Sequence, residues 1–315
     1  VLLLCQQSKD PPRVLLVETH GAESASAGNL TRLIDLLTEQ GAAAIAFTRL
    51  PAEPTAPLLA PAAPAKLEVL PRFVTRDALA VDEPTAVPLP AAAAGLPLTF
   101  GLLDVPVPPG GVHRSLDVRT RLAGHDEASL ELAVARGLGV SSTALPSRPL
   151  IWFRGGPGSL PRVDLDRALA GGLVPDLVRD RAVLVGPAPA SGTPGLVTSV
   201  TWGGQSMSEL ELHGHVLDTL LSGEAARSTS RLEGLSVLAV VLLVLGLILP
   251  WVGPPAANVL VAIALVAAAA ACRLSLGRLH VWPPAGALVA GIALLHAGLL
   301  SGRASLSARR ARSLL

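Results

Sequence analysis

Apolar positions change their period several times along the first half of the chain. Residues 13–18 (Arg13-Val14-Leu15-Leu16-Val17-Glu18) form a short continuous apolar run, the pattern of a strand buried on both faces. Over 29–40 the apolar residues Leu30, Leu33, Ile34 and Leu37 fall at helical spacing, and Gly41 follows as a C-terminal stop. A second buried strand is predicted at 43–47. Strand, helix and strand with short connections make a βαβ unit, hence two parallel strands covered by a helix. The proline- and alanine-rich stretch 51–64 reads as a surface loop. Further on, 98–105 and 112–118 flank Pro108-Pro109-Gly110-Gly111 and predict a hairpin. An amphipathic helix is predicted at 126–138, short buried strands at 150–153 and 182–185, and a helix at 209–221 ended by Ser222-Gly223. The predicted class is α/β: a layered domain with a mainly parallel sheet and a hairpin insertion.

Beyond residue 231 the alternation gives way to long apolar runs. A spanning helix needs about 20 mostly apolar residues. The segments 234–252, 256–272 and 283–300 each approach that length, separated by Trp251-Val252-Gly253-Pro254-Pro255 and by Trp282-Pro283-Pro284. Tryptophan beside helix-breaking proline suits the membrane interface. The expected organisation is a soluble domain over 1–230, a three-span transmembrane anchor over 231–302, and a short basic tail over 303–315. His296 is the one ionisable group of the third run, and it is expected a few residues from a helix end, reaching toward the interface.

Charge sharpens this division. Residues 231–315 hold seven arginines and one acid, Glu233, which leaves the first 230 residues with a net formal charge of −5. An acidic domain with few aromatics is a poor match to nucleic acid, so none is expected as a partner. Half of the chain is hydrophobic and 16% is charged, which excludes intrinsic disorder. Arginines near the spans divide evenly between the two sides. Only Arg309, Arg310 and Arg312 tilt the balance toward a cytoplasmic tail. Cys5 and Cys272 lie in unlike settings and predict neither a disulfide nor a thiolate metal site. The opening Val1-Leu2-Leu3-Leu4-Cys5 has the character of the end of a signal or membrane segment.

Candidate chemistry is sparse. Phe153-Arg154-Gly155-Gly156-Pro157-Gly158-Ser159 is a glycine-rich loop whose N–H groups and arginine suit a phosphate. It lacks the P-loop lysine, and the plainer expectation is a tight turn whose arginine bridges neighbouring loops. Glu211, His213 and His215 would share one face of a strand and suit zinc; on a helix they would fan out. A structural hydrogen bond is the expectation for His213. Asp164 and Asp166 read as carboxylates at a helix start. No nucleophile elbow occurs, and no catalytic residue, metal ligand or cofactor is expected.

The run Met207 to Gly223 resembles the end of the CHASE type 2 domain, where a G-V-E-I-H-A-N-x-x-D-x-L-L-x-G stretch precedes a block of usually three membrane helices. Glu211, His213, Asp218, Leu220, Leu221 and Gly223 match; Glu209, Gly214 and His215 depart from the family's glycine, alanine and asparagine. Ile151 to Pro161 resembles the family's F/Y-R-G-P-P-G turn, Asp180 to Gly186 its x-G-K-I-V-L-I-G strand with Arg181 in the basic place, and Gly111 to Arg114 its D-G-V-V-R-R hairpin. Residues 33–47 resemble its first helix and second strand. Acids common in relatives are replaced here by Thr19-His20 and Thr48, and an aspartate-Thr-Pro segment is reduced to Ser191-Gly192-Thr193-Pro194.

The resemblance implies a receptor module: an extracytoplasmic sensor of an unknown small ligand or protein signal, anchored in the lipid bilayer of the cell membrane. It would pass its signal to an output domain or partner outside this chain, such as a kinase or cyclase. Arg154, Glu211, His213 and Asp218 are its ligand-binding or structural candidates. The alternatives are a membrane-tethered enzyme using the Arg154 loop with Glu211 and His213, or a structural membrane component that binds another protein.

Overall fold

A computed structural model describes residues 11–21, 26–49, 67–75, 85–86, 99–106, 108, 110–122, 124–141, 143, 145–189 and 195–313. Cys5, the loop at 51–64 and residues 191–194 lie outside the described residues. The chain divides into two units, 1–225 and 226–315.

The first unit opens with strand β1 (Val14–Thr19), helix α1 (Ala27–Glu39) and strand β2 (Ala44–Phe47), the predicted βαβ unit. Ser26 caps α1 by accepting from the Asn29 N–H. Strands β3 (Leu67–Thr75), β4 (Thr85–Ala86) and β5 (Thr99–Leu103) follow, then β6 (Arg119–Leu122) and β7 (His125–Ala128). Helix α2 (Leu130–Gly137), strand β8 (Arg162–Asp164), short helices α3 (Leu165–Arg167) and α4 (Pro175–Val178), strand β9 (Ala182–Pro187) and helix α5 (Glu209–Leu221) complete it.

The main sheet runs β4-β3-β2-β9-β1-β8, with β5 also on β3. Its pairings are parallel except β3 with β4. Helices cover both faces, which is why the central strands are apolar without alternation. Leu15 and Val17 of β1 pack with Leu30, Leu33, Ile34 and Leu37 of α1 and with Leu165, Leu173 and Val178. Val14 and Leu16 face the other way, onto Leu130 and Val134 of α2 and Leu210 and Leu217 of α5. Each such buried side chain contributes about 1.5–3 kcal/mol relative to exposure.

Three local expectations need correction. The turn at 108–111 forms, with the Gly111 N–H donating to the Pro108 carbonyl, but its arms do not pair as a hairpin. Pro106, Pro108 and Pro109 offer no N–H for a ladder, and β5 pairs parallel with β3 instead. A hairpin does form at β6–β7, so the helix predicted from 126 starts only at Leu130, where Ser129 caps it by accepting from the Leu132 N–H. Residues 150–153 are not a strand. Beyond a single bridge between Ser115 and Leu150, the Trp152 and Arg154 N–H groups are directed to the side chains of Thr219 and His215 on α5.

The second unit contains strand β10 (Arg227–Ser228), helices α6 (Arg231–Ile248) and α7 (Pro254–Leu279), strand β11 (Val281–Trp282) and helix α8 (Ala285–Ser313). Three helical stretches, Arg231–Trp251, Pro254–Leu276 and Ala285–Leu306, are long and apolar enough to cross a membrane. Ser230 and Glu233 form a reciprocal capping box at the start of α6. Pairing of β10 with β11 holds the starts of α6 and α8 side by side. At the other end, Arg303 of α8 donates to the carbonyls of Leu249, Pro250 and Val252, which satisfies acceptors that the end of the first span leaves open. Helix α8 runs on through the predicted tail, so His296 lies in its middle and not near an end. The alanine- and arginine-rich tail consists largely of helix formers and holds no proline to stop it.

Candidate functional site

Helix α5 organises the polar core of the first unit. Ser208 caps it by accepting from the Glu211 N–H at 3.1 Å. Residues 210 to 220 are all buried, including Glu211, His213, His215 and Asp218. Helical geometry at 3.6 residues per turn stacks positions 211, 215 and 218 in one stripe and turns 213 to the opposite side. Gly214 lies between. A Cβ there would sit 2.7 Å from a Leu160 methyl and 2.9 Å from a Leu16 methyl, so glycine at this position lets α5 lie close against β1.

The stripe is gripped by the segment 152–162. The Gly158 N–H, in a left-handed conformation (φ +90°), donates to Glu211 Oε1 at 2.7 Å. Glu211 Oε2 pairs with Arg162 Nη2 at 3.0 Å, and Arg162 Nη1 donates to Glu18 Oε1 at 3.2 Å. His215 Nδ1 accepts from the Arg154 N–H at 3.5 Å while Nε2 lies 3.3 Å from Ser159 Oγ. This assigns the neutral tautomer with the proton on Nε2. Burial, with the Arg154 and Arg162 charges adding to it, lowers the His215 pKa to about 3. Asp218 accepts from Arg154 Nε at 2.5 Å and from the Arg13 N–H at 2.8 Å, with both ionic side chains almost fully buried.

The opposite side of α5 carries a separate pair. His213 Nδ1 bonds Glu131 Oε1 of α2, and Glu209 Oε1 lies 3.7 Å from Nε2. Burial alone would lower the imidazole and raise the carboxyl, but each charge overrides this for its partner. His213 is raised to about 9, and Glu131 is held below its ordinary value. The pair is therefore ionised at neutral pH.

Arg154, Glu211 and Asp218 thus share one side of α5, and His213 stands on the other. Glu211 occupies the glycine-rich turn that would otherwise suit an external anion, so the arginine bridges a loop to a helix. Sequence reasoning missed Arg162, Glu18 and Glu131 as their partners. Glu18 ends a predicted strand, but Glu131 lies inside the predicted helix 126–138 and Arg162 in no predicted element, so no local signal marked them as partners. Among the described residues one group has the donor set for a metal ion: Glu18, His20 and Asp164, whose ligand atoms lie within 4.8 Å of one another.

No curated protein and no solved structure matches the chain. A family model does: the CHASE2 domain matches residues 13–249, which takes in the whole sheet, the α5 stripe and the first apolar helix. The chain belongs to the CHASE2 domain family.

Proposed function

We propose that this protein is a membrane-anchored sensor whose α/β domain lies outside the cytoplasm and whose three helices carry a signal inward, to an output domain or partner such as a kinase or cyclase. The observation that carries this reading is a sensory-family domain followed directly by three helices long and apolar enough to span a bilayer. An odd number of crossings puts the α/β domain and the end of α8 on opposite sides. The bilayer of the cell membrane is its setting, and a small ligand or protein is its stimulus.

Within this reading Arg154, Glu211, His213 and Asp218 are structural. Their burial and mutual pairing support a role in fixing α5, the element that leads by chain into the first span. The enzymatic alternative needed the Arg154 loop, Glu211 and His213 to meet, and His213 faces away from the other two.

Cysteine labelling in intact cells tests the topology. With Cys5 and Cys272 replaced by serine, single thiols are introduced as Asp126→Cys on the β6–β7 hairpin and Ser305→Cys on α8. An impermeant maleimide is expected to label position 126 and to reach 305 only after the cells are opened. The reverse pattern refutes the sensor reading.

A further inference from the structure

We infer that Glu18, His20 and Asp164 form a binding site for a divalent first-row transition metal ion of the zinc type, at the carboxyl end of β1 and β8. Two independent features of the fold bring these residues together. Period-two alternation puts Glu18 and His20, two residues apart, on the same side of β1 and its extension. The parallel register then sets Asp164 of β8 directly beside Glu18. His20 Nε2 and Asp164 Oδ1 are 2.8 Å apart, and the three ligand atoms all lie within 4.8 Å of one another. The His20 and Asp164 side chains are exposed and so free to rotate toward the spacing that a single ion needs. The location is also the one where open parallel α/β sheets bind ligands, just outside the carboxyl ends of their strands.

The donor set decides the class of ion. One imidazole nitrogen with two carboxylates suits zinc and its neighbours, whereas calcium and magnesium prefer oxygen alone. Three protein ligands leave a coordination position open to water or to a further ligand. Local charge agrees in sign: among the described residues, Arg162 pairs with both Glu18 and Glu211, so the carboxylates of Glu18, Glu211 and Asp164 outnumber the one guanidinium among them. Arg162 orients the Glu18 carboxylate from behind through its 3.2 Å hydrogen bond, the supporting contact that metal ligands usually have. Glu18 itself is buried and fixed, so the site has one rigid ligand and two accessible ones.

As the stimulus of the sensor, the metal ion rests on the function proposed above; as a site, it does not, because binding is measured without reference to topology. Zinc is titrated calorimetrically into the full chain in detergent micelles, with Cys5 and Cys272 replaced by serine. One saturable site is expected. Its affinity should fall at least about tenfold in His20→Ala and in Asp164→Asn, since even supporting residues of metal sites cost that much. His125→Ala, on the exposed hairpin, should leave it unchanged. Circular dichroism verifies that both site variants stay folded, which their surface positions favour. Absence of saturable binding, or an affinity in both site variants unchanged from that of the parent chain, overturns the proposal. Competition by calcium or magnesium at the same concentration as zinc overturns the assignment to a transition metal.

Discussion

Replacing Asp218 by asparagine tests whether the Arg154–Asp218 contact holds α5 to the loop before β8. The substitution keeps size and shape but removes the charge opposite a guanidinium whose side chain is only 8% exposed. It also turns an amide N–H₂ or a neutral oxygen toward Arg154 Nε, while the Arg13 N–H still competes for the remaining acceptor. Removing one partner of a buried ion pair costs about 3–5 kcal/mol, because the other charge is left uncompensated. In a domain of this size each kcal/mol lowers the melting temperature by about 2–4 °C, so the expected loss is roughly 6–20 °C. Thermal unfolding of the full chain in micelles, followed by near-ultraviolet circular dichroism, reads it. Arg154→Met should cost a similar amount, and Arg154→Met with Asp218→Leu much less than the two single changes together, because an apolar pair leaves no buried charge. A shift below about 2 °C for Asp218→Asn, the behaviour of an exposed pair, would refute the argument. So would additivity in the cycle.

Two histidines on α5 set opposite limbs of the stability–pH profile. His213, raised to about 9 from 6.5, contributes stability that is fully present below pH 6.5 and lost as pH rises through 9. His215, lowered to about 3 from 6.5, is buried neutral, so stability falls as pH drops below 6.5 and the unfolded chain takes up a proton. Glu131, held below 4.5, adds to the loss in acid. Melting temperature should therefore peak near pH 6.5; Glu131→Gln should flatten the alkaline limb and His215→Asn the acid limb, and profiles unchanged by both would contradict these assignments. Gly101→Ala should be destabilising by about 1–3 kcal/mol or more. Its Cβ would lie 2.3 Å from the Leu130 Cα, and backbone at a capped helix start has no room to yield. Urea unfolding checks this, and a neutral result would mean that β5 and α2 are not so close.

Elements whose own side chains dictate their environment were legible in the sequence. The apolar runs of β1, β2 and β9, the helical spacing of α1 and the three long apolar helices all needed only local pattern. Segments whose backbone is satisfied by distant side chains were not legible. Residues 150–153 have the composition of a strand, yet Thr219 and His215 take their N–H groups. The arms beside the turn at 108–111 look like a hairpin, but β3 captures the first, and the second sends its His113 and Val118 N–H groups to the Val197 and Ser147 carbonyls. Similarly, β8 is three residues long and carries no apolar run, so only its register on β1 reveals it.

The sequence by itself determined the α/β class, the division into a polar domain and an apolar anchor, and which residue types had no apolar place to go. Hydrophobic burial is read locally, so those features follow from composition and period. Only the tertiary structure decided the pairing: Arg154 with Asp218, Arg162 with Glu211 and Glu18, His213 with Glu131, and His20 with Asp164. Each partner is many residues away, brought near by strand register and by the rotation of α5. Glu211 and His213 show the reason most plainly. Adjacent in motif, they point to opposite sides because a helix turns by 100° per residue.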